Sequence, residues 1–507
     1  MSTALKILSN TVAQIIGKFA VAILGLVSVK IATSYLSVGG YGEYTAIYSF
    51  LAFFGIAADL GLFTIAVREM SENEDEVPKI IGNILSIRTI LVVLIMGVAI
   101  VSAFLIPAYE DTRISLGVAV ASITVILTIM NGTTTSVLQA KLKMHQASIA
   151  TVVGKIVTVG FMLYVVFWGF PEDNEMGFYM LLVAGNVGAL IMELTTRYYV
   201  KKFTSLKYRF DFGFWKQILS RSIPYGLALI LNTVYLNIGP IMLSIMGTKE
   251  QVGIYGVATK MLEQFSILPL YFMNSVLPVL TKSIKENSEK YKDIIKYAFD
   301  FLCAMSIPLV VGGVILAYPI VFAVSTPDFL SRLSEGYFGS DFAFQILIFA
   351  LLFQFINVLF AFIMIAVNKQ YRLLYINASC VLLNIVGNIA LIPHLGFRSC
   401  AIMSVVSEFF ILILNYTYAK KSLPFSLNFT NLFKIIFSAL IMGVVIYFGQ
   451  IFSYSFLQNW NLIVLVPFGG AIYVAMLFAT KVIDKNMLNL LRGKPRAEEI
   501  QEPGQIS

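Results

Sequence analysis

The sequence predicts an all-α polytopic membrane protein of about fourteen transmembrane helices, in two pseudo-symmetric six-helix lobes plus two C-terminal helices. Three observations carry this. Of the 507 residues 58% are hydrophobic and 13% charged, with a mean hydropathy of +0.83; a soluble domain carries about 25% charged residues. Apolar runs of about 20 residues recur from end to end, each long enough to cross a bilayer as a helix, and the ~10-residue alternating segments of a membrane barrel are missing. Lys and Arg crowd onto alternate loops.

The expected spans are 8–34, 44–68, 80–106, 113–139, 146–169, 177–198, 216–246, 252–280, 296–324, 341–367, 373–394, 398–420, 432–456 and 461–480. The first holds Lys18 and lacks a small-residue cleavage site, so it reads as a retained helix rather than a signal peptide. After six spans comes the most basic loop, where Arg197, Lys201, Lys202, Lys207, Arg209 and Lys216 lie close together. Such a loop stays in the cytoplasm. It divides the chain into a first lobe at 1–200, a linker at 201–215, a second lobe at 216–420, two additional helices at 421–480 and a cytoplasmic tail at 481–507. A faint repeat agrees with two lobes: Gly42-Glu43-Tyr44 opens the second span and Gly253-Ile254-Tyr255 the eighth.

Loops on the side of the basic stretch, with both termini, hold about 26 Lys and Arg. The opposite loops hold 4, namely Arg113, Lys249, Arg332 and Arg398. Both termini are therefore expected in the cytoplasm and the span count is even. Trp168, Trp215 and Trp460 each fall at an expected helix end, where an indole prefers the headgroup zone.

The net charge of +8 is spread over cytoplasmic turns, so anionic lipid headgroups rather than nucleic acid are its expected neighbours. The longest outer loop runs from Ser325 to Ser340, too short for a catalytic domain, and neither an enzyme activity nor a cofactor is expected. The acidic runs Glu72, Glu74, Asp75, Glu76 and Glu172, Asp173, Glu175 read as solvated turns, not metal sites. Cys303, Cys380 and Cys400 lie in apolar segments and suggest no disulfide framework.

The informative residues are ionisable groups inside the spans: Lys18, Lys30, Asp59, Arg88, Lys155, Glu193, Arg221, Lys260, Glu263 and Glu408. Each costs roughly 2.5–3.5 kcal/mol or more at a helix centre unless paired or facing water. Lys30 and Arg221 lie near helix ends and can snorkel. Lys18, Arg88 and Lys155 sit deeper, which points to a water-filled cavity, or alternatively to buried ion pairs. Lys260 and Glu263 are three apart; they either neutralise each other or leave Lys260 to a substrate. Asp59, Glu193, Glu263 and Glu408 are candidates for ion or proton coupling. Polar stripes accompany the charges: Asn10, Gln14 and Lys18 on the first span, Asn186, Glu193 and Arg197 on the sixth, Arg221, Tyr225 and Asn232 on the seventh, and Asn377, Asn384 and Asn388 on the eleventh. A cavity lined by Lys18, Arg88, Lys155, Arg221 and Lys260 would suit an anionic headgroup, since lysine meets phosphate as a point charge and arginine bidentately. Interhelical hydrogen bonding, worth ~0.6 kcal/mol per contact, is the alternative for the Asn residues.

Four stretches carry a resemblance. They are Asn10 to Gln14 and Lys18 up to Tyr35-Leu36-Ser37-Val38-Gly39-Gly40-Tyr41-Gly42-Glu43-Tyr44; Ala58-Asp59-Leu60-Gly61-Leu62 with Arg68-Glu69; Val252-Gly253-Ile254-Tyr255-Gly256-Val257-Ala258-Thr259-Lys260; and Asn384 to Pro393 with Leu395-Gly396 and Ser407-Glu408. In order and spacing the chain resembles the polysaccharide transporters, the Wzx-type flippases, of the multidrug/oligosaccharidyl-lipid/polysaccharide (MOP) exporter superfamily. Phe397-Arg398-Ser399-Cys400-Ala401 departs from the small residues that usually follow the glycine. The resemblance implies two six-helix lobes around a cavity that opens alternately to each side. It implies a polyprenyl-pyrophosphate-linked oligosaccharide, flipped to the outer leaflet of the cytoplasmic (inner) membrane for O-antigen of lipopolysaccharide, capsule or exopolysaccharide. Membrane lipids and glycan-assembly machinery are the implied partners, and a monomer is expected. A drug or cation antiporter of the same superfamily is the alternative; a membrane glycosyltransferase or polymerase would need an outer loop or acidic metal site that the sequence lacks.

Overall fold

A computed structural model describes residues 3–171, 175–286, 288–427 and 429–482. The first half contains α1 (Thr3–Tyr35), α2 (Val38–Asp59), α3 (Leu62–Glu72), α4 (Val77–Leu105), α5 (Ile114–Ala140), α6 (Met144–Tyr164) and α7 (Glu175–Val200). After the basic loop come α8 (Phe212–Met246), α9 (Lys249–Ser266), α10 (Leu268–Lys285), α11 (Lys290–Ile315) and α12 (Ala317–Val324). The chain continues with α13 (Ser340–Ala366), α14 (Tyr371–Leu395), α15 (Phe397–Ser422), α16 (Thr430–Leu457) and α17 (Leu462–Ala479). The protein is all-α, as the composition requires. The described residues hold no strand, only an isolated bridge between Arg332 and Tyr337.

Twelve stretches of the described residues are long and apolar enough to span, and α8 makes a thirteenth, bent by 51° between Leu229–Tyr235 and Asn237–Met246. Pro240 sits four residues beyond Leu236, where its ring opposes that backbone carbonyl and removes a helical hydrogen bond, which accounts for the bend. One stretch, Thr430–Ala479, is 50 residues long, about 75 Å of helix against a core of ~30 Å. It consists of two helices, α16 and α17, and so supplies the fourteenth segment.

Two helix starts lie six residues before their expected positions. The second segment begins at Val38 rather than 44, because Ser37 caps it, its Oγ accepting from the Gly40 N–H at 3.1 Å. The ninth begins at Lys290 rather than 296 and breaks at Leu316 before α12. The second segment is also interrupted. Leu60 takes a left-handed backbone (φ 46°) and Gly61 follows at φ 71°, so α2 ends on Asp59 and α3 starts at Leu62. Gly226 of α8 backs onto this break; a Cβ there would lie 2.7 Å from the Leu60 carbonyl.

Packing sorts the chain into two compact units. One comprises Met1–Met261, Val324–Leu330 and Asn377–Met403. In it α6 packs on α1 and α7, α5 on α2, α4 and α7, and α8 on α2. Its core includes Met70, Ile80, Ile81, Ile84, Val137, Leu138 and Val200. The other comprises Leu262–Ala323, Ser331–Ile376 and Ser404–Ser507, with α11 packed on α13 and α16, and α16 on α17.

Two features of the first unit constrain its functional groups. The basic loop is pinned to α4: the Arg209 N–H donates to the Gly82 carbonyl (3.2 Å), and Asn83 Oδ1 accepts from the Asp211 N–H (2.8 Å) and from Trp215 Nε1 (3.0 Å). Gly82 is required there, since a Cβ would fall 2.4 Å from the Lys207 carbonyl oxygen. The repeated segments, in turn, touch each other. A Cβ on Gly42 would lie 1.8 Å from the Lys249 carbonyl oxygen, and one on Gly253 would lie 2.1 Å from that of Val38. Gly39 faces Glu250 and Gly256 faces Thr45.

Candidate functional site

The deep cations divide by their partners. Arg88 lies on α4 in an unbroken buried run from Ile80, and is 1% exposed. Its Nη2 pairs with the Asp59 carboxylate. Its Nη1 donates to Thr133 Oγ1 of α5 at 2.9 Å. Because α2 stops at Asp59, the guanidinium also meets the negative end of that helix. The break at Leu60-Gly61 and the Arg88–Asp59 pair are thus one device, and of the two readings of Arg88 the structure gives the buried ion pair.

Glu193, 3% exposed, accepts from Arg197 Nε (2.5 Å) and from Thr134 Oγ1 (3.0 Å). Thr124 donates to Asn186 Oδ1 (2.5 Å), and Asn186 donates to the Val120 carbonyl (3.0 Å). The stripe on α7 therefore bonds that helix to α5. On α14, Asn388 donates to Asn384 Oδ1 (2.7 Å) and accepts from Ser399 Oγ of α15 (3.1 Å), with both asparagines buried. These stripes follow the interhelical alternative.

Lys155 is different. It is half-buried on α6, where burial acts on it first and the charge of Lys260, also half-buried, on α9 acts second. Lys18 is exposed on α1, beside Gly17, whose Cβ position is 2.9 Å from Ser148 Cβ of α6. Ser148 and Lys155 are seven residues apart on α6, so Lys155 lies about 10 Å further along the helix than the level of Lys18. Arg221 is exposed and donates to Glu69 Oε1 (2.5 Å); Lys30 reaches the Ser325 carbonyl (2.5 Å). Glu263 is exposed and Asn377 and Gln14 are partly buried. The side chains of Asn10, Tyr225 and Asn232 lie outside the described residues, as do Glu172 and Asp173 of the second acidic run.

In the second unit, Glu408 of α15 is 6% exposed. Asn357 of α13 donates to its Oε2 (2.6 Å) and to its backbone carbonyl (3.0 Å). Asp300 of α11 is a buried acid that sequence reasoning missed; Asn431 at the start of α16 donates to its Oδ2 at 2.7 Å. A start at 296 puts Asp300 only four residues from the helix end. From the true start at Lys290 it lies ten residues in, about 15 Å along the helix.

Chemically the arrangement contains a buried cation, Arg88, paired with a carboxylate, and two half-buried lysines, Lys155 and Lys260, on two helices, α6 and α9. Two amines so placed repel, and a polyanion seated between them would remove the repulsion and gain both attractions.

A family model described as polysaccharide biosynthesis protein matches residues 7–284, and one described as MatE matches residues 224–390. Nothing among the curated proteins matches. Solved structures do. The chain is similar to the lipid II flippase MurJ in an inward closed conformation, at 16% identity and a TM-score of 0.72 over 93% of this chain and 100% of that one. It is similar to an inward-facing multidrug resistance MATE family transporter of the MOP superfamily, at 15% identity and a TM-score of 0.64 over 80% and 97%. A MOP superfamily transporter from Pyrococcus furiosus aligns at 15% identity and a TM-score of 0.58 over 82% and 95%. The fold is that of MOP superfamily flippases and transporters, and these matches are not enzymes.

Proposed function

Because the chain belongs to the polysaccharide biosynthesis protein family, we propose that it is a flippase for polyprenyl-pyrophosphate-linked oligosaccharide, with Lys155 and Lys260 holding the pyrophosphate. The observation that supports this reading is the presence of two half-buried lysines, on α6 and α9, inside membrane-spanning segments and near enough for one charge to act on the other. A diphosphate supplies enough negative charge for two amines at once. Lys18, two turns away along α6 and exposed, gives the headgroup a first contact on entry from the side of the basic loops.

The polyprenyl tail stays in lipid. Helices α16 and α17 offer it a surface, with Phe433, Phe437, Leu440, Val444, Phe448 and Phe452 exposed at helical spacing. The lobes 1–200 and 216–420 are the moving bodies, the 201–215 linker joins them, and the charge bias puts both termini in the cytoplasm of an inner-membrane protein. The protein acts as a monomer, supplying O-antigen, capsule or exopolysaccharide assembly. Glu408, bonded to Asn357, and Asp59 and Glu193 are where a coupling proton or ion would be sought. The MatE match over 224–390 favours a second reading, cation or drug export, which requires a net acidic rather than cationic site.

The deciding experiment uses purified protein in liposomes holding a fluorescent lipid-pyrophosphate oligosaccharide. Transbilayer movement should appear with the parent and fall at least about tenfold in Lys155→Ala and in Lys260→Ala. Full activity in both variants, or efflux of an organic cation in place of flipping, rejects the reading.

A further inference from the structure

We propose that the crossing of α2 and α9 is the gate at the face opposite the basic loops, and that Glu43 is its latch. The role rests on the transport reading above, but the contact itself does not, and the two are tested apart below.

The crossing has the form expected of a gate between repeated halves. Gly42 and Gly253 are equivalent positions in the repeat, and so are Gly39 and Glu250, and Thr45 and Gly256. In the structure Gly39 meets Glu250, Gly42 meets Gly253 and Thr45 meets Gly256. Each position touches its own counterpart, so the helices run parallel and in register about a local twofold axis. Such a contact parts by tilting either helix, with nothing threaded between them. The backbones touch because glycine is present on both sides, which seals the end more tightly than side chains would.

Glu43 is 2% exposed and its bonds are unequal. Oε2 accepts from Arg113 Nε at 2.7 Å, and Oε1 from the Arg113 backbone N–H at 3.4 Å. The Arg113 guanidinium also stacks over the Phe178 ring of α7, 4.2 Å from its centre. These groups belong to α2, to the residue before α5 and to α7. The third bond comes from α9: Lys249 Nζ donates to Glu43 Oε1 at 2.9 Å, with its side chain about half exposed. If α9 moves away, Glu43 keeps Arg113 and Lys249 passes into water, so no unpaired charge is left buried. The bond is built to hold the closed state and to let go. The same end carries a strap: Phe329, fully buried, packs edge-on against Tyr41 at 5.7 Å, while Lys30 of α1 holds the Ser325 carbonyl.

The test starts from the full chain with Cys303, Cys380 and Cys400 replaced by serine and a single cysteine at Thr259, just past Gly256 on α9. Its labelling by a membrane-impermeant maleimide, added to the face opposite the basic loops, should be slow in this parent. It should rise about tenfold in Lys249→Glu, which sets a second carboxylate against Glu43, and in Gly42→Leu, which wedges the crossing. Lys249→Arg should label like the parent. Fast labelling of the parent, or unchanged labelling in both Lys249→Glu and Gly42→Leu, overturns the gate. Faster labelling in those two variants, in a protein that moves no lipid-linked glycan in liposomes, upholds the gate and rejects the flippase reading alone.

Discussion

Arg88 on α4 and Lys155 on α6 both carry positive charge into the membrane, yet a carboxylate acts on the first and an amine on the second. Arg88 has the Asp59 carboxylate, the Thr133 hydroxyl and the end of α2. Lys155 has Lys260. The first charge is neutralised by a carboxylate and ties three helices together. The second lies beside another lysine, and an anion between the two would gain both attractions. Depth in the membrane therefore does not distinguish a structural ion from a binding one; the sign of what surrounds it does.

The contrast can be broken most sharply at Arg88. Arg88→Ala strands Asp59 and should cost about 3–5 kcal/mol, read as loss of membrane-inserted protein or a large fall in Tm in detergent. Arg88→Met with Asp59→Leu should recover most of that, because removing both charges leaves nothing unpaired; a double variant as unstable as the single one would mean that the pair has a further role. Asn83→Leu comes next. It removes the acceptor of the Asp211 and Trp215 bonds, for about 1–3 kcal/mol, measurable as faster proteolysis of the basic loop. Lys155→Met should leave Tm unchanged or slightly higher while transport falls, since it relieves repulsion; a large destabilisation would erase the distinction from Arg88. Smallest is Arg68→Ala at the exposed Arg68–Glu72 pair, where no change in Tm is expected.

Much of the fold was legible in the sequence. Helix count and type depend on run length and hydropathy, which are properties of the chain alone. What each polar stripe faces is not. The spacing of Asn186, Glu193 and Arg197 shows that they share a face, but only packing shows α5 opposite it. Asp59 and Arg88 were both conspicuous, yet they lie on different segments, and only tertiary contact makes them a pair. In the sequence Glu43 stands only as part of the Gly42-Glu43-Tyr44 repeat, and Arg113 and Lys249 only as outer-loop cations; packing alone brings the three together. The repeat at Gly42 and Gly253 was visible, whereas the contact between its two copies was not. Asp300 was hidden by a six-residue error in one helix start.

The staking of the linker at Asn83 has a mechanical consequence. Helix α8 begins at this anchored point, extends 35 residues, about 50 Å of contour, and ends two residues short of Lys249. The end of α8 nearest Lys249 lies beyond the 51° bend, so the anchor at Asn83 and the approach to Lys249 are set by different halves of one helix.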